Sequence, residues 1–255
     1  MKTHSKTRPL LLLTSAIASG LISALISTSA SADPIALSRF TEPAANVPAP
    51  WQRALISSKL KPTEYRVSTV DGITGIEATA DNSMALMGRA VSVDLAKTPV
   101  LCWSWRIDAP LKNANMKTKA GDDYAARVYV ALSIPAEKMS FVTRAKLKLG
   151  RAIFGSQVPD GALNYVWDNR YPVGTSMANA YTDLTRMIVV NSGPAKAGQW
   201  VSVRRDLSAD IQKYFPDQAA KPALLAVASD TDNTGEKAHA YFADFRLTTR
   251  DDTCQ

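Results

Sequence analysis

Asp71-Gly72 lies between two runs, "YRVSTV" at 65–70 and "ITGIEATA" at 73–80, that read as strands. Asp-Gly between two such runs is the strongest short-range hairpin signal, because both central positions of the favoured turn need positive φ. Similar runs recur along the chain: "MALMGRAVSVDL", "VLCWSWRI", "YAARVYVAL", "ALNYVWD", "RMIVVNS", "QWVSVRRDL", "ALLAVASD" and "AHAYFADFRL". Many short strands separated by turn residues fold as a sandwich or a barrel. The expected fold class is all-β: an antiparallel jelly-roll-type β-sandwich with short helical excursions.

Side chains divide by period two along a strand. In "VLCWSWRI", Leu101, Trp103, Trp105 and Ile107 share one face, and Cys102, Ser104 and Arg106 share the other. Tyr165 and Trp167 share a face with Leu163. These aromatics carry a core pattern, not the pattern of an exposed sugar platform. In "KAGDDYAARVYVAL", Tyr124, Ala126, Val128, Val130 and Leu132 form an apolar face, while Asp123, Ala125, Arg127, Tyr129 and Ala131 form a second one. A polar face on a sandwich strand is expensive unless it is paired or wet. Arg106, Arg127, Tyr129 and Asn164 therefore mark either a buried network or a binding groove. Loop residues Asn179, Tyr181, Asp230 and Asn233 could complete it, and Arg127 is expected to pair with Asp230 or Asp232.

The first 32 residues have a basic start, an apolar, serine-dotted run from Leu10 to Ile26, and an Ala30-Ser31-Ala32 end. These are the three parts of a secretory signal peptide. The expectation is cleavage near Ala32 and a periplasmic or secreted protein. It would have an N-terminal arm over 33–60, in which "WQRALISSKL" could form a short helix, and a sandwich over 61–250. Losing Lys2, Lys6 and Arg8 would lower the net charge from +7 to +4. That mild basicity fits an anionic envelope partner without demanding one. His239 would be the single histidine left, and Cys102 and Cys254 the two cysteines. This excludes zinc sites built on several His or Cys. Cys102 and Cys254 can be a disulfide in an oxidising compartment or, for Cys102, a buried free thiol.

"PAEKMSFVTRAKLKLGRAIFGSQVP" breaks the β pattern and carries Lys138, Arg144, Lys146, Lys148 and Arg151 with no acid between 138 and 151. It reads as a crossover helix with solvated lysines, or as a basic amphipathic surface for peripheral membrane contact through 138–151. "SADIQKYF" reads as a short helix capped by Ser208. "SDTDNTG", 229–235, is dense in oxygen ligands. Tyr241 stands where a calcium loop needs its bidentate Glu, so this is no EF-hand. A looser structural calcium site on Asp230 and Asp232, completed by Asp122 or Asp244, competes with a plain Asx-type turn. No cofactor is otherwise expected. Phosphate-binding glycine motifs are absent, and no nucleic-acid partner is expected for a chain of this modest charge.

The pieces "LCWSWRID", "GDDYAARVYV", "ALNYVWDN", "ANAYT", "RMIVVNSG", "GQWVSVRRDL" and "ASDTDNTG" together resemble an exported bacterial family known as domain of unknown function 3047, over roughly Tyr65 to Leu247. The resemblance implies a pattern similar to jelly-roll modules that bind carbohydrate. It brings no settled activity. The leading expectation is an exported envelope protein that binds a glycan or other anionic ligand without catalysis through a polar sheet face. The alternatives are a carbohydrate-active lyase or hydrolase and a purely structural or interaction domain.

Overall fold

The computed structural model describes residues 1–2, 32–154 and 158–254, so the expected signal peptide lies outside the described residues except at its ends. The strands are β1 (Ile35–Ala36), β2 (Gln52–Ala54), β3 (Glu64–Val70), β4 (Ile73–Asp81), β5 (Leu86–Ala90), β6 (Val100–Ile107), β7 (Tyr124–Ser133), β8 (Gly161–Asp168), β9 (Ser176–Ala178), β10 (Thr185–Ser192), β11 (Val201–Asp206), β12 (Lys221–Asp230) and β13 (Lys237–Thr248). The helices are α1 (Phe141–Phe154) and α2 (Leu207–Tyr214).

Two sheets form the sandwich. One has six strands in the order β11-β6-β13-β4-β3, with β1 added to β13. The other has seven, in the order β2-β5-β12-β7-β8-β10-β9. Chain order passes repeatedly between them, as a jelly roll requires: β6, β11 and β13 lie in the first sheet and β7 and β12 in the second. One pair departs from the antiparallel expectation, since β10 runs parallel to β8. The excursion over 169–184, which contains β9, is long enough to bring the chain back to the start of β8, and a parallel pair needs such a crossover.

The hairpin forms where Asp71-Gly72 predicts it, with φ of +52° and +78° at the two turn positions. The tryptophans fill the space between the sheets. Trp103 and Trp105 meet edge to face at 5.5 Å. Trp103 reaches Tyr165 across the sandwich at 5.5 Å, and Trp105 reaches Trp167 at 5.8 Å. Three of the four polar atoms find acceptors: Trp105 Nε1 donates to Asn191 Oδ1 at 2.9 Å, Trp167 Nε1 to the Gly193 carbonyl at 3.0 Å, and the Tyr165 hydroxyl to Asp210 at 2.7 Å, while Trp103 Nε1 is buried without an acceptor among the described residues.

Three local expectations are corrected. The segment at 51–60 makes β2 and turns, not a helix, because Gln52–Ala54 pairs with β5 and Trp51 enters the core against Phe245. Helix α2 is capped not by Ser208 but by Asp206, two residues earlier, whose carboxylate accepts the Ala209 N–H at 2.9 Å. Tyr124 leaves the apolar face of β7. Three steps on β7, from Tyr124 to Arg127, oppose two on β12, from Asp230 to Ala228. This extra residue is a bulge, and a one-residue slip moves a side chain to the other face.

The two cysteines are joined. Cys102 and Cys254 form a disulfide across 152 residues, with their Cα atoms 5.5 Å apart.

Candidate functional site

Strand β7 carries Arg127 on the face away from the tryptophan core, and the loops before β7 and β10 close over it. Its Nη2 lies 2.8 Å from Asp230 and 3.3 Å from the Asp122 carboxylate, and also donates to the Asp122 carbonyl. Its Nη1 donates to the Tyr129 hydroxyl at 2.9 Å, and the guanidinium sits 4.6 Å over the Tyr124 ring that the bulge delivers. Burial works against the guanidinium charge, but Asp230, Tyr129 and Asp122 more than restore it and hold Arg127 protonated.

The network extends outward. Asn179 Nδ2 donates to Asp122 at 2.6 Å. Asp123 accepts from the Asn233 N–H and Nδ2 and from the Thr234 N–H and hydroxyl, at 2.7–3.0 Å. The Tyr181 hydroxyl donates to Asn233 Oδ1 at 2.5 Å. Asn164, beside Tyr129 in register, turns its Nδ2 to Met187 Sδ at 3.1 Å.

Seven of the eight residues singled out in the sequence thus gather at one place. The expected groove does not form there. Arg127 is 2% exposed, Asp230 2% and Asn164 0%, so no ligand reaches the guanidinium. Asp123, Asp230 and Asp232 bring carboxylate oxygens within 4.8 Å of one another, with Asp123 in the position the sequence suggested for Asp122 or Asp244. The donors at 233–234 and Arg127 already answer two of the three charges.

Arg106 stands apart from the other seven, on the outer face of the six-stranded sheet. Register places Tyr241 beside Arg106, Glu77 beside Tyr241, and Arg66 beside Glu77. Thr79 lies between His239 and Glu64 in the next row. Arg66 grips Glu77 with two hydrogen bonds of 2.7 Å. His239 bridges Glu77 at 2.8 Å and Asp108 at 3.1 Å. Arg106 bonds Asp108 at 3.2 Å and lies 5.5 Å over the Tyr241 ring. Tyr241 is flanked by His239 at 4.7 Å and Trp200 at 6.2 Å. Burial pushes the Glu77 carboxyl up, but the bonds from Arg66 and His239 outweigh it and bring it down to about 2.

Beside this row is a cavity of about 370 Å³ lined by Ala45, Arg53, Glu64, Tyr65, Arg66, Glu77 and Thr79. Arg53 is exposed there, and its guanidinium has no hydrogen bond or ion pair among the described residues. Sequence reasoning found Arg106 on this face but missed Arg66, Glu77 and Tyr241, and missed Arg53, which lines the cavity from β2 of the other sheet. Polar residues at alternate positions in "YRVSTV", "ITGIEATA" and "AHAYFADFRL" were the signal. The register that aligns three such strands side by side is not written in any one of them.

No curated protein matches this chain. Among solved structures, it is similar to the xyloglucanase domain of NopAA, a type three effector from Sinorhizobium fredii in complex with cellobiose, at 10% identity and a TM-score of 0.36, covering 79% of this chain and 99% of that one. It is similar to Trichoderma harzianum endoglucanase 3 from family GH12 at 7% identity and a TM-score of 0.38, covering 80% and 99%. It is also similar to SGBP-B from a complex xyloglucan utilization locus in Bacteroides uniformis at 14% identity and a TM-score of 0.32, covering 82% and 46%. These scores are too low to bear on what this chain binds. The family match is of another order, since it takes in residues 49–246, most of the chain and nearly all of the sandwich, and the chain therefore belongs to the family described as protein of unknown function (DUF3047).

Proposed function

We propose that this chain is an exported, non-catalytic binding protein that takes a glycan on the outer face of its six-stranded sheet. The observation that carries the reading is the cavity of about 370 Å³ lined by Arg53, Glu64, Arg66, Glu77 and Thr79. A sugar presents hydroxyls that need donors and acceptors together, and this lining offers both. The unpaired Arg53 adds a partner for a carboxylate or sulfate on the ring. Trp200 and His239, both half-buried and packed against Tyr241, add ring surface beside Glu77.

Two observations support the absence of catalysis. Glu77, the most buried carboxylate of the face, is held ionised in a two-bond grip by Arg66, which removes it as a proton donor near neutral pH. Asp108, the other carboxylate on His239, is tied to Arg106. Export is supported by the composition of residues 1–32 and by the Cys102–Cys254 bridge, which suits an oxidising compartment.

The test is a glycan array probed with the protein and with Arg53→Ala. The intact protein is expected to bind, with acidic glycans weakened on the order of tenfold in the variant. No glycan bound, or equal binding by a folded Arg53→Ala/Glu64→Gln variant, overturns the assignment. Cleaved glycan in the binding mixture overturns its non-catalytic part.

A further inference from the structure

Helix α1 has its apolar side turned outward. At about 100° per residue, Phe141, Val142, Ala145, Leu149 and Ala152 fall within an arc of about 100°. Phe141 is 78% exposed, Val142 61% and Leu149 63%, and both alanines are exposed. Leu147, on the opposite side of the wheel, is 3% exposed and anchors the helix to the body. Basic residues border the outward stripe on both flanks, with Lys146 on one and Arg144 and Lys148 on the other. The helix contains no acid. Lys146 pairs with Asp183 at 2.8 Å, while Arg144 and Lys148 have no ion pair among the described residues.

A solvated helix of a globular protein carries the reverse pattern, with its apolar stripe on the core. An outward apolar stripe with cationic borders matches a helix lying in the plane of an anionic bilayer, its apolar side among the acyl chains and its lysines at the headgroups. At 14 residues it is too short to cross the hydrocarbon core. A second copy of the chain is a poor occupant, because two such faces would set like charges against each other. An acidic polymer would satisfy the charges and leave Phe141 and Leu149 in water.

We infer that α1 is a peripheral docking helix for membranes bearing anionic lipid, placed on a different part of the molecule from the glycan face. Because Cys102 and Cys254 are bonded to each other, a cysteine introduced by Ala145→Cys is the only free thiol. A nitrobenzoxadiazole label there reports on α1 itself, whatever the apolar run at 10–26 does.

With the full chain, the label should brighten and shift to the blue on vesicles of phosphatidylcholine mixed with phosphatidylglycerol, and stay unchanged on phosphatidylcholine alone. Adding Arg144→Gln and Lys148→Gln should raise the half-saturating lipid concentration about twenty-five-fold, a factor of about five for each charge. Adding Phe141→Ser and Leu149→Ser should abolish the shift. All four side chains are exposed, so the unfolding midpoint should not move, and this serves as the control for folding. No shift on the mixed vesicles, an equal shift on neutral ones, or no effect of the substitutions overturns the inference. A shift that grows with protein concentration without vesicles also overturns it and assigns the stripe to a second copy.

Discussion

Arg127 shows how one charged side chain can be committed to a fold. Its partners come from the loop before β7, from β7 itself and from the end of β12, so the guanidinium ties three segments at one point. Removing one member of a buried ion pair leaves an uncompensated charge, which costs about 3–5 kcal/mol. Arg127→Ala is therefore expected to lower the urea-unfolding free energy by about that amount, with Asp122 and Asp230 left facing each other. Arg127→Lys keeps the charge but cannot serve the Asp230 and Tyr129 directions at once, and is expected to lose about 1–3 kcal/mol. Glycan bound per folded molecule should not change in either variant, since the side chain is sealed from the proposed face. A large loss of affinity with little loss of stability would restore Arg127 to a ligand site. The pairing of Arg127 was legible in the sequence, because two acids precede it and an acid-rich turn ends at Gly235. Its burial was not. The cover comes from Asp122 and Asn179, 57 residues apart, and nothing local in either stretch says that they meet.

Between elements, the outer face of the six-stranded sheet depends on a cross-strand pair, Arg66 on β3 with Glu77 on β4. Glu77 has its carboxyl lowered from 4.5 to about 2. A carboxylate with a depressed folded-state value contributes stability that is fully present above its unfolded value and is lost as pH falls through the folded one. For Glu77 that window runs from about pH 4.5 down to about 2. Arg66 is largely exposed, so solvent weakens its share, and about 1–2 kcal/mol is the expected size. Unfolding followed against pH should show this acid-side loss in the parent protein. In Glu77→Gln the part that belongs to this pair should disappear. Parallel curves for the two proteins would mean that the pair adds nothing. The alternation of single strands was readable, and it placed Trp103 and Trp105 inside and Arg106 outside correctly. The bulge that rotates Tyr124, and the parallel pairing of β8 with β10, were not. Both depend on what the neighbouring strand does, and period two within one strand carries no record of its partner's register.

For the molecule as a whole, the C-terminal tail matters more than its length suggests. Cys254 returns to Cys102 on β6, a strand that lies between β11 and β13. The same tail is tied by Arg250 to Asp206 at 2.7 Å and by Asp252 to the Thr249 hydroxyl at 2.8 Å. The sequence left two readings for these cysteines, because their meeting depends on the tail folding back over a sheet whose order was unknown. Period two placed Cys102 on the outer side of β6 with Ser104 and Arg106, and that side is open to a returning tail. Linking residues 152 apart removes a large share of the unfolded chain's freedom. Loss of the bridge is therefore expected to cost about 2–5 kcal/mol. Cys102→Ser/Cys254→Ser should unfold at correspondingly lower urea. Cys102 is 1% exposed, so a thiol reductant should act on the parent only as it unfolds, and should then bring its unfolding curve onto that of the double variant. The reductant should leave the variant itself unmoved. If the parent and the double variant unfold at the same urea concentration in the absence of reductant, the covalent link contributes nothing and the ion pairs and hydrogen bonds of residues 249–252 hold the tail by themselves.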